Sequence, residues 1–435
     1  GIIISTEEEV NKIPCLEKVC VVAQTTQNLD EYQKIVEKIK QLCPQAVVFN
    51  TICLSTEQRQ AEVIDMAGEM DAMFIVGGKN SANTKRLADL ARKNQPSTFH
   101  IETPADMEKI DLGPYNKIGV SAGASTPNWI LDRVIDKITE GRSRKLKNLG
   151  KLLTLWTFLV KTDIFSAIGA GCLCLVCMLL QTMTVRFSFI LIASLFVYGM
   201  HVLNRLISRK PAGLVGSFRE EYYIRHENIF FVTSLFSIIL ALVLAFQQSL
   251  AVFFSLLIIS LGGVLYNMQL LSPRWNFQSL KDVPGSKNIF MSIAWAVAAA
   301  FLPSIHETPF PDAGLLVAFF FVFCIVFIRS AMSDILEIQS DKLIGKETFP
   351  VLFGKTRALN ILKIISLILF AILLFASPSG WTSSLSFPLM FCLLYLWICF
   401  LFCDKRPVLS GAVKEGLLET SYIIAGFCVL LWLIF

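Results

Sequence analysis

Uncharged apolar runs recur from Leu152 to the end of the chain, and they restrict that region to a single kind of fold. A helix crossing a ~30 Å hydrocarbon layer needs about 20 mostly apolar residues, and without water only helices or closed barrels satisfy every backbone polar group. Nine runs stand out, centred near residues 173, 195, 238, 258, 296, 323, 368, 393 and 427. Up to about Gly150 charged and apolar residues alternate instead. The apolar excess, 54% hydrophobic against 17% charged, therefore belongs to the later region alone. The expected organisation is a soluble domain over 1–140, a basic linker over 141–160 and a membrane domain over 161–435.

Basic residues orient the membrane domain. They follow the second run (Arg205, Arg209, Lys210), the fourth (Arg274, Lys281, Lys287), the sixth (Lys342, Lys346, Lys355) and the eighth (Lys405, Arg406, Lys414), whereas the opposite loops hold only Arg186. The positive-inside rule puts those loops, and with them the amino-terminal domain, in the cytoplasm. Arg142, Arg144, Lys145, Lys147 and Lys151 suit a linker against anionic headgroups, and equally a stop signal before the first helix. No nucleic-acid partner is expected. No ionisable residue is expected deep in an apolar run, which disfavours a transporter. Of the twelve cysteines, eight lie in or beside apolar runs; Cys172, Cys174 and Cys177 read as packing groups. Cys15, Cys20, Cys43 and Cys53 lie in the cytoplasmic domain, where disulfides are not expected.

In the soluble domain, Val19–Gln24, Ala46–Asn50, Ala72–Gly77, Thr98–Ile101 and Lys117–Ser121 read as buried strands with helical periodicity between them. The predicted fold class is thus an α/β cytoplasmic domain of alternating strand and helix layers, followed by an all-α polytopic membrane bundle of about nine transmembrane helices. Several strand ends lead into small hydroxyl, amide or glycine residues: Gln24-Thr25-Thr26, Gly78-Lys79-Asn80-Ser81-Ala82-Asn83 and Ala122-Gly123-Ala124-Ser125-Thr126. Each serves as a plain helix cap; three at one sheet edge favour a phosphate site.

After the sixth run, Asp334, Glu337 and Asp341 recur at helical spacing, followed by Gly345-Lys346-Glu347-Thr348. Carboxylates on one helix face beside a membrane surface suit Mg²⁺ shared with a diphosphate. Asp334-x-x-Glu337-x-x-x-Asp341 with Gly345-Lys346-Glu347-Thr348-Phe349-Pro350-Val351 and Gly354-Lys355 resembles the second aspartate-rich motif of the UbiA superfamily of membrane prenyltransferases. The resemblance implies catalytic Asp334 and Asp341, Mg²⁺ on Asp334, Glu337 and Asp341, and a prenyl diphosphate ionised to an allylic cation and joined to an aromatic or lipid acceptor. Lys281, with the Pro284-Gly285-Ser286-Lys287-Asn288 turn, is implied as a diphosphate contact. The family's first acidic motif, Asn-Asp-x-x-Asp-x-x-x-Asp, departs here to Asn204-Arg205-x-x-Ser208-x-x-x-Ala212, leaving Asn204 as its surviving substrate-binding residue.

The soluble domain, over residues 15 to 138, resembles the carboxyl-terminal half of the 4-hydroxy-3-methylbut-2-enyl diphosphate reductase (IspH/LytB) family, through the turns above and Asn50-Thr51-Ile52-Cys53. The resemblance implies Cys53 as one of three ligands of a [4Fe-4S] cluster, Thr25 in the substrate pocket, and Ser81, Asn83 and Ser125 on the substrate diphosphate, with an external electron donor. Ala82 stands where that family usually has a second serine. Cys15, Cys20 and Cys43 fall in none of its cluster motifs, and Cys53 alone cannot hold four irons. The start at Gly1, within the resembling domain, reads as a piece of a longer fusion, with a decayed domain kept for binding as the alternative.

The functional expectation is an isoprenoid fusion protein of a bacterial inner membrane, joining a reductase-like domain to a prenyltransferase. The alternative is a non-catalytic membrane anchor and lipid-diphosphate scaffold for the reductase, suggested by the altered first motif.

Overall fold

The computed structural model describes residues 1–435 except 5, 13, 15–17, 25–26, 28, 52–53, 124–125, 144–148, 208–219, 267–279, 281–282, 284, 308–310, 339–340, 342–347, 406–410 and 435. The chain divides into two compact units, Gly1–Ile138 and Thr139–Phe435.

In the first unit strands and helices alternate: β1 (Cys20–Val22), α1 (Leu29–Leu42), β2 (Val47–Phe49), α2 (Leu54–Glu69), β3 (Ala72–Val76), α3 (Ala82–Asn94), β4 (Thr98–Ile101), β5 (Ile118–Ala122) and α4 (Asn128–Ser143). All pairings are parallel, which requires crossover connections such as these helices supply. Cys20 lies opposite Val47 in one small sheet; in the other, β3 sits between β4 and β5, with Met73 opposite Thr98 and Ala72 opposite Ile118. The central strand Ala-Met-Phe-Ile-Val is buried throughout, as a parallel strand covered on both faces must be. Its period-2 alternation divides the core: Met73 and Ile75 pack with Val63, Leu87 and Ala91, whereas Phe74 and Val76 pack with Ile101, Val134 and Ile138.

The second unit is helical: α5 (Leu149–Lys161), α6 (Ile164–Leu180), α7 (Phe187–Ile207), α8 (Glu220–Arg225), α9 (Glu227–Gln248), α10 (Leu250–Leu265), α11 (Ser286–Ala296), α12 (Leu302–Glu307), α13 (Ala313–Leu336), α14 (Phe349–Phe353), α15 (Lys355–Ala376), α16 (Ser386–Lys405) and α17 (Gly411–Ile434). Helices α11 and α12 form one span, Ser286–Glu307, joined by a π-helical turn at Val297–Phe301. Among the described residues six helices are long and apolar enough to cross a membrane, seven if the pair Lys151–Lys161 and Ile164–Leu180, bent by 80°, counts as one. The expected nine is not reached on length, because Leu250–Leu265 and Ser386–Leu401 are shorter, although each predicted run centre falls on a helix. One core joins Leu173, Phe196, Trp295, Phe321, Leu369 and Tyr422, while Phe236, Ile258, Leu367 and Phe427 stay exposed, as residues facing lipid do.

The membrane unit also corrects the expectation that its apolar runs lack deep ionisable residues. Arg329 on α13 and Glu419 on α17 are buried, at 8% and 0% exposure.

Candidate functional site

In the membrane unit the site grows from the end of α13. Asp334 is on its last turn, 3% exposed, and both carboxylate oxygens are occupied: Lys287 Nζ donates to Oδ1 at 2.9 Å and Asn288 Nδ2 to Oδ2 at 2.9 Å. Asn288 Oδ1 in turn accepts from Ser330 at 2.8 Å, so the amide is held from both sides. Lys287 and Asn288 open α11, directly after Gly285, whose φ of 73° is left-handed and turns the chain into the helix. The helix α13 ends at Leu336 with Glu337 as its cap. Asp341, joined to Glu337 by a backbone bond of 3.0 Å, is 3% exposed, whereas Glu337 is the more exposed residue. Partial loss of water around its carboxyl and the neighbouring Glu415, Asp341 and Asp334 carboxylates push Glu337 above the ordinary carboxylate range against the opposing pull of Lys287, although the residue as a whole stays exposed.

Arg205, from the altered first motif, belongs to an ion-pair centre, while Ser208 and Ala212 lie outside the described residues. Asp163 joins α5 to α6 with a left-handed φ of 58° and is wholly buried. Arg205 grips it with Nε and Nη2, both at 3.2 Å; the Tyr223 hydroxyl donates to it at 2.6 Å, and His201 lies 4.0 Å away. Neighbouring Asn204 is half-buried on the last turn of α7. None of these partners was visible in the sequence except as isolated polar residues flanking apolar runs.

In the first unit the carboxyl ends of β3 and β5 converge on the start of α3. Ser81 caps that helix, its hydroxyl accepting from Thr84 N at 3.4 Å. Asn83 is 8% exposed, and its Oδ1 finds no partner among the described residues, nor does the buried Thr84 Oγ1. Gly77 has φ 149°, and a Cβ there would fall 2.5 Å from Thr126 Oγ1, so the backbone is close-packed around this corner. Open parallel sheets bind ligands outside the carboxyl ends of strands where neighbours lie on both sides, and β3 is such a strand. Ser81 and Asn83 are thus together; Thr25, Cys53, Ser125 and Lys281 lie outside the described residues.

The donor chemistry treats the two implied cofactors differently. Among the described residues no three His, Cys, Asp or Glu side chains converge to hold a metal by themselves. Mg²⁺ does not need three: it keeps waters and is bound through one or two carboxylates plus substrate phosphate, so the oxygen donors Asp334, Glu337 and Asp341 fit it in company with a diphosphate. A [4Fe-4S] cluster requires several thiolates. Cys20 is exposed on β1 and Cys43 buried after α1, and the described thiols do not form a cluster site.

Comparison with known proteins matches both units. Residues 1–139 match the family model described as LytB protein, and residues 224–408 that of the UbiA prenyltransferase family. The first unit is 43% identical over 137 residues to a 4-hydroxy-3-methylbut-2-enyl diphosphate reductase of Alkaliphilus oremlandii, covering 31% of this chain and 49% of that protein. It is 44% identical over 138 residues to one of Pelobacter propionicus, covering 32% and 49%. The chain therefore spans about half the length of the curated relatives it matches. A solved UbiA homologue from Archaeoglobus fulgidus, bound to GPP and Mg²⁺, aligns at 19% identity and a TM-score of 0.45, over 63% of this chain and 99% of its own.

Proposed function

We propose that this chain, which joins a LytB-type domain to a UbiA-type membrane domain, transfers a prenyl group from a prenyl diphosphate to an acceptor at the Asp334 end of its bundle. The observation that carries the reading is the clamp of Lys287 and Asn288 on buried Asp334, which fixes a carboxylate and a cation side by side where helices from two segments meet. Asp334, Asp341 and Glu337 hold Mg²⁺ together with the diphosphate, and the metal supplies charge neutralisation for the departing group. Lys287 adds a positive charge to the same oxygens, and Lys281 and Asn204 extend the contact. The apolar walls of α7, α11 and α13 keep water from the allylic cation. All nine apolar runs cross the membrane, two of them as short or tilted helices, with the basic loops and residues 1–140 in the cytoplasm of a bacterial cell.

For the first unit the proposal is a diphosphate-binding reductase domain, with Ser81 and Asn83, and by extension Thr25 and Ser125, holding the diphosphate of a five-carbon allylic substrate. Cys53 is the thiolate this domain would bring to an iron-sulfur cluster. No reduction step is derived from the residues described. The two halves serve one class of chemistry, since a five-carbon diphosphate is the building block of longer prenyl donors.

The test is prenyl transfer by the full chain in nanodiscs with labelled prenyl diphosphates. Mg²⁺-dependent product that disappears in Asp334→Asn supports the reading; diphosphate binding with no turnover at any chain length favours a scaffold.

A further inference from the structure

Helix α5 is bent by 80° from α6 at the Asp163 corner, so where α6 crosses the membrane α5 does not extend it. Its 13 residues make α5 about 20 Å long, and at that angle it climbs only about 3 Å along the axis of α6. Such a helix runs along a bilayer surface rather than through it. Its place is the cytoplasmic end of the bundle. A Cβ at Gly416, in the second turn of α17, would collide with the Trp156 ring and fall 2.9 Å from Val160. Asp163, just beyond α5, is held by Arg205 on the last turn of α7. Both contacts lie where basic loops mark the inner face.

At about 100° per residue α5 presents three sides. Trp156 and Val160 pack toward α17. About 90° round the helix from them, Leu152 (68% exposed), Leu155 (54%) and half-buried Leu159 fall within an arc of about 60° and make an open apolar stripe. Thr154, Thr157 and Lys161 share a similar arc on the side roughly opposite the stripe. Bundle, hydrocarbon and water each meet their own side, which is what an in-plane helix at the edge of a membrane protein requires. Charge points the same way. From Gly141 to Lys161 the sequence holds six basic residues, Arg142, Arg144, Lys145, Lys147, Lys151 and Lys161, and no acidic one. An unbroken basic run beside an apolar stripe is complementary to anionic headgroups over acyl chains.

We propose that α5 is an in-plane membrane anchor whose Leu152, Leu155 and Leu159 stripe is seated in the cytoplasmic leaflet, with anionic phospholipid as the partner of the basic residues around it. The proposal goes beyond prenyl transfer and rests only on the orientation adopted with that reading, basic loops inward. The partner is a lipid surface rather than a protein, because the stripe lies beside a spanning helix at the level of the bilayer surface and the charge that accompanies it is of one sign.

The test uses the full chain in phosphatidylcholine nanodiscs with or without phosphatidylglycerol. A fluorescent amino acid is placed at position 155 or, in a second chain, at 157, and quenched by lipids carrying a nitroxide at shallow or central acyl depth and by aqueous acrylamide; position 152 replaces 155 if a label there unfolds the chain. An in-plane helix buries its apolar side only about 5–10 Å, so the ratio of shallow-nitroxide to acrylamide quenching is expected to be at least about threefold higher at 155 than at 157. Phosphatidylglycerol raises the shallow quenching at 155 by about twofold, and high salt removes the rise. Equal ratios at the two positions, or a label at 155 that none of the three quenchers reaches, overturns the in-plane seat. Quenching at 155 that ignores phosphatidylglycerol overturns the anionic partner. Strongest quenching of 155 by the central nitroxide also overturns the proposal, since α5 and α6 then form one broken span. Digestion of residues 1–138 by protease outside right-side-out vesicles is a separate failure, that of the orientation itself.

Discussion

Asp334 accepts from Lys287 across 47 residues of sequence and from Asn288 across 46, so its environment is a product of folding that no local pattern records. The spacing of Asp334 and Asp341 made both legible in the sequence as candidates. Their partners were not, because a lysine in a loop between apolar runs has an ordinary topological explanation. Asp334→Asn keeps the shape but loses the charge that positions Lys287 and the metal; diphosphate release is expected to fall by about a hundredfold or more, measured by phosphate release. Glu337 offers a pH signature. Its carboxyl is raised above the ordinary 4.5, so the folded chain keeps a proton to higher pH than the unfolded chain, and this group's contribution to stability declines as pH rises through the interval between the two values. Metal binding has the opposite trend, since only the ionised carboxylate is a ligand. Mg²⁺ affinity is therefore expected to rise between about pH 6 and 8, and Glu337→Gln to flatten that rise in a titration.

At the scale of elements, the five strands were readable from β-branched and apolar runs bounded by turn residues, and β3, β4 and β5 lie within a residue or so of the positions predicted for them, but β1 and β2, expected to be buried, leave Val22, Val47 and Phe49 exposed. The break between α5 and α6 was not readable: Asp163 is a single polar residue before an apolar run, and the partners of its left-handed turn, Arg205 and Tyr223, arrive from elsewhere in the chain. That dependence makes a stability prediction. Arg205→Met leaves a buried carboxylate without its cation and is expected to cost about 3 kcal/mol or more in detergent, read by thermal or denaturant unfolding. Adding Asp163→Asn to the same chain should recover much of the loss, whereas two independent sites would sum. Similarly, Asp106 accepts from the backbone of Glu102 and Thr103 and is held below the ordinary carboxylate range by those bonds, so Asp106→Ala should weaken the first unit by about 1 kcal/mol near neutral pH. That contribution should fade as pH falls through the folded-state value.

For the whole molecule, the split into a charged α/β unit and a lipid-facing bundle followed directly from where apolar runs begin. Basic residues on alternate loops give the orientation a direct check. Protease added to inverted membrane vesicles is expected to digest residues 1–138, and protease outside sealed right-side-out vesicles to leave them intact. What composition could not convey is that the bundle hides a set of mutually dependent charges within its spans. Arg329 pairs with both Glu415 and Glu419, and loss of Arg329 takes the shared cation from two carboxylates within the spans. Mutational drift at these positions is thus barred one step at a time. Among descendants of this sequence, 329, 415 and 419 should be inherited as a block, kept together or exchanged together for apolar residues, and that joint variation would mark the trio in an alignment more sharply than invariance at any single position.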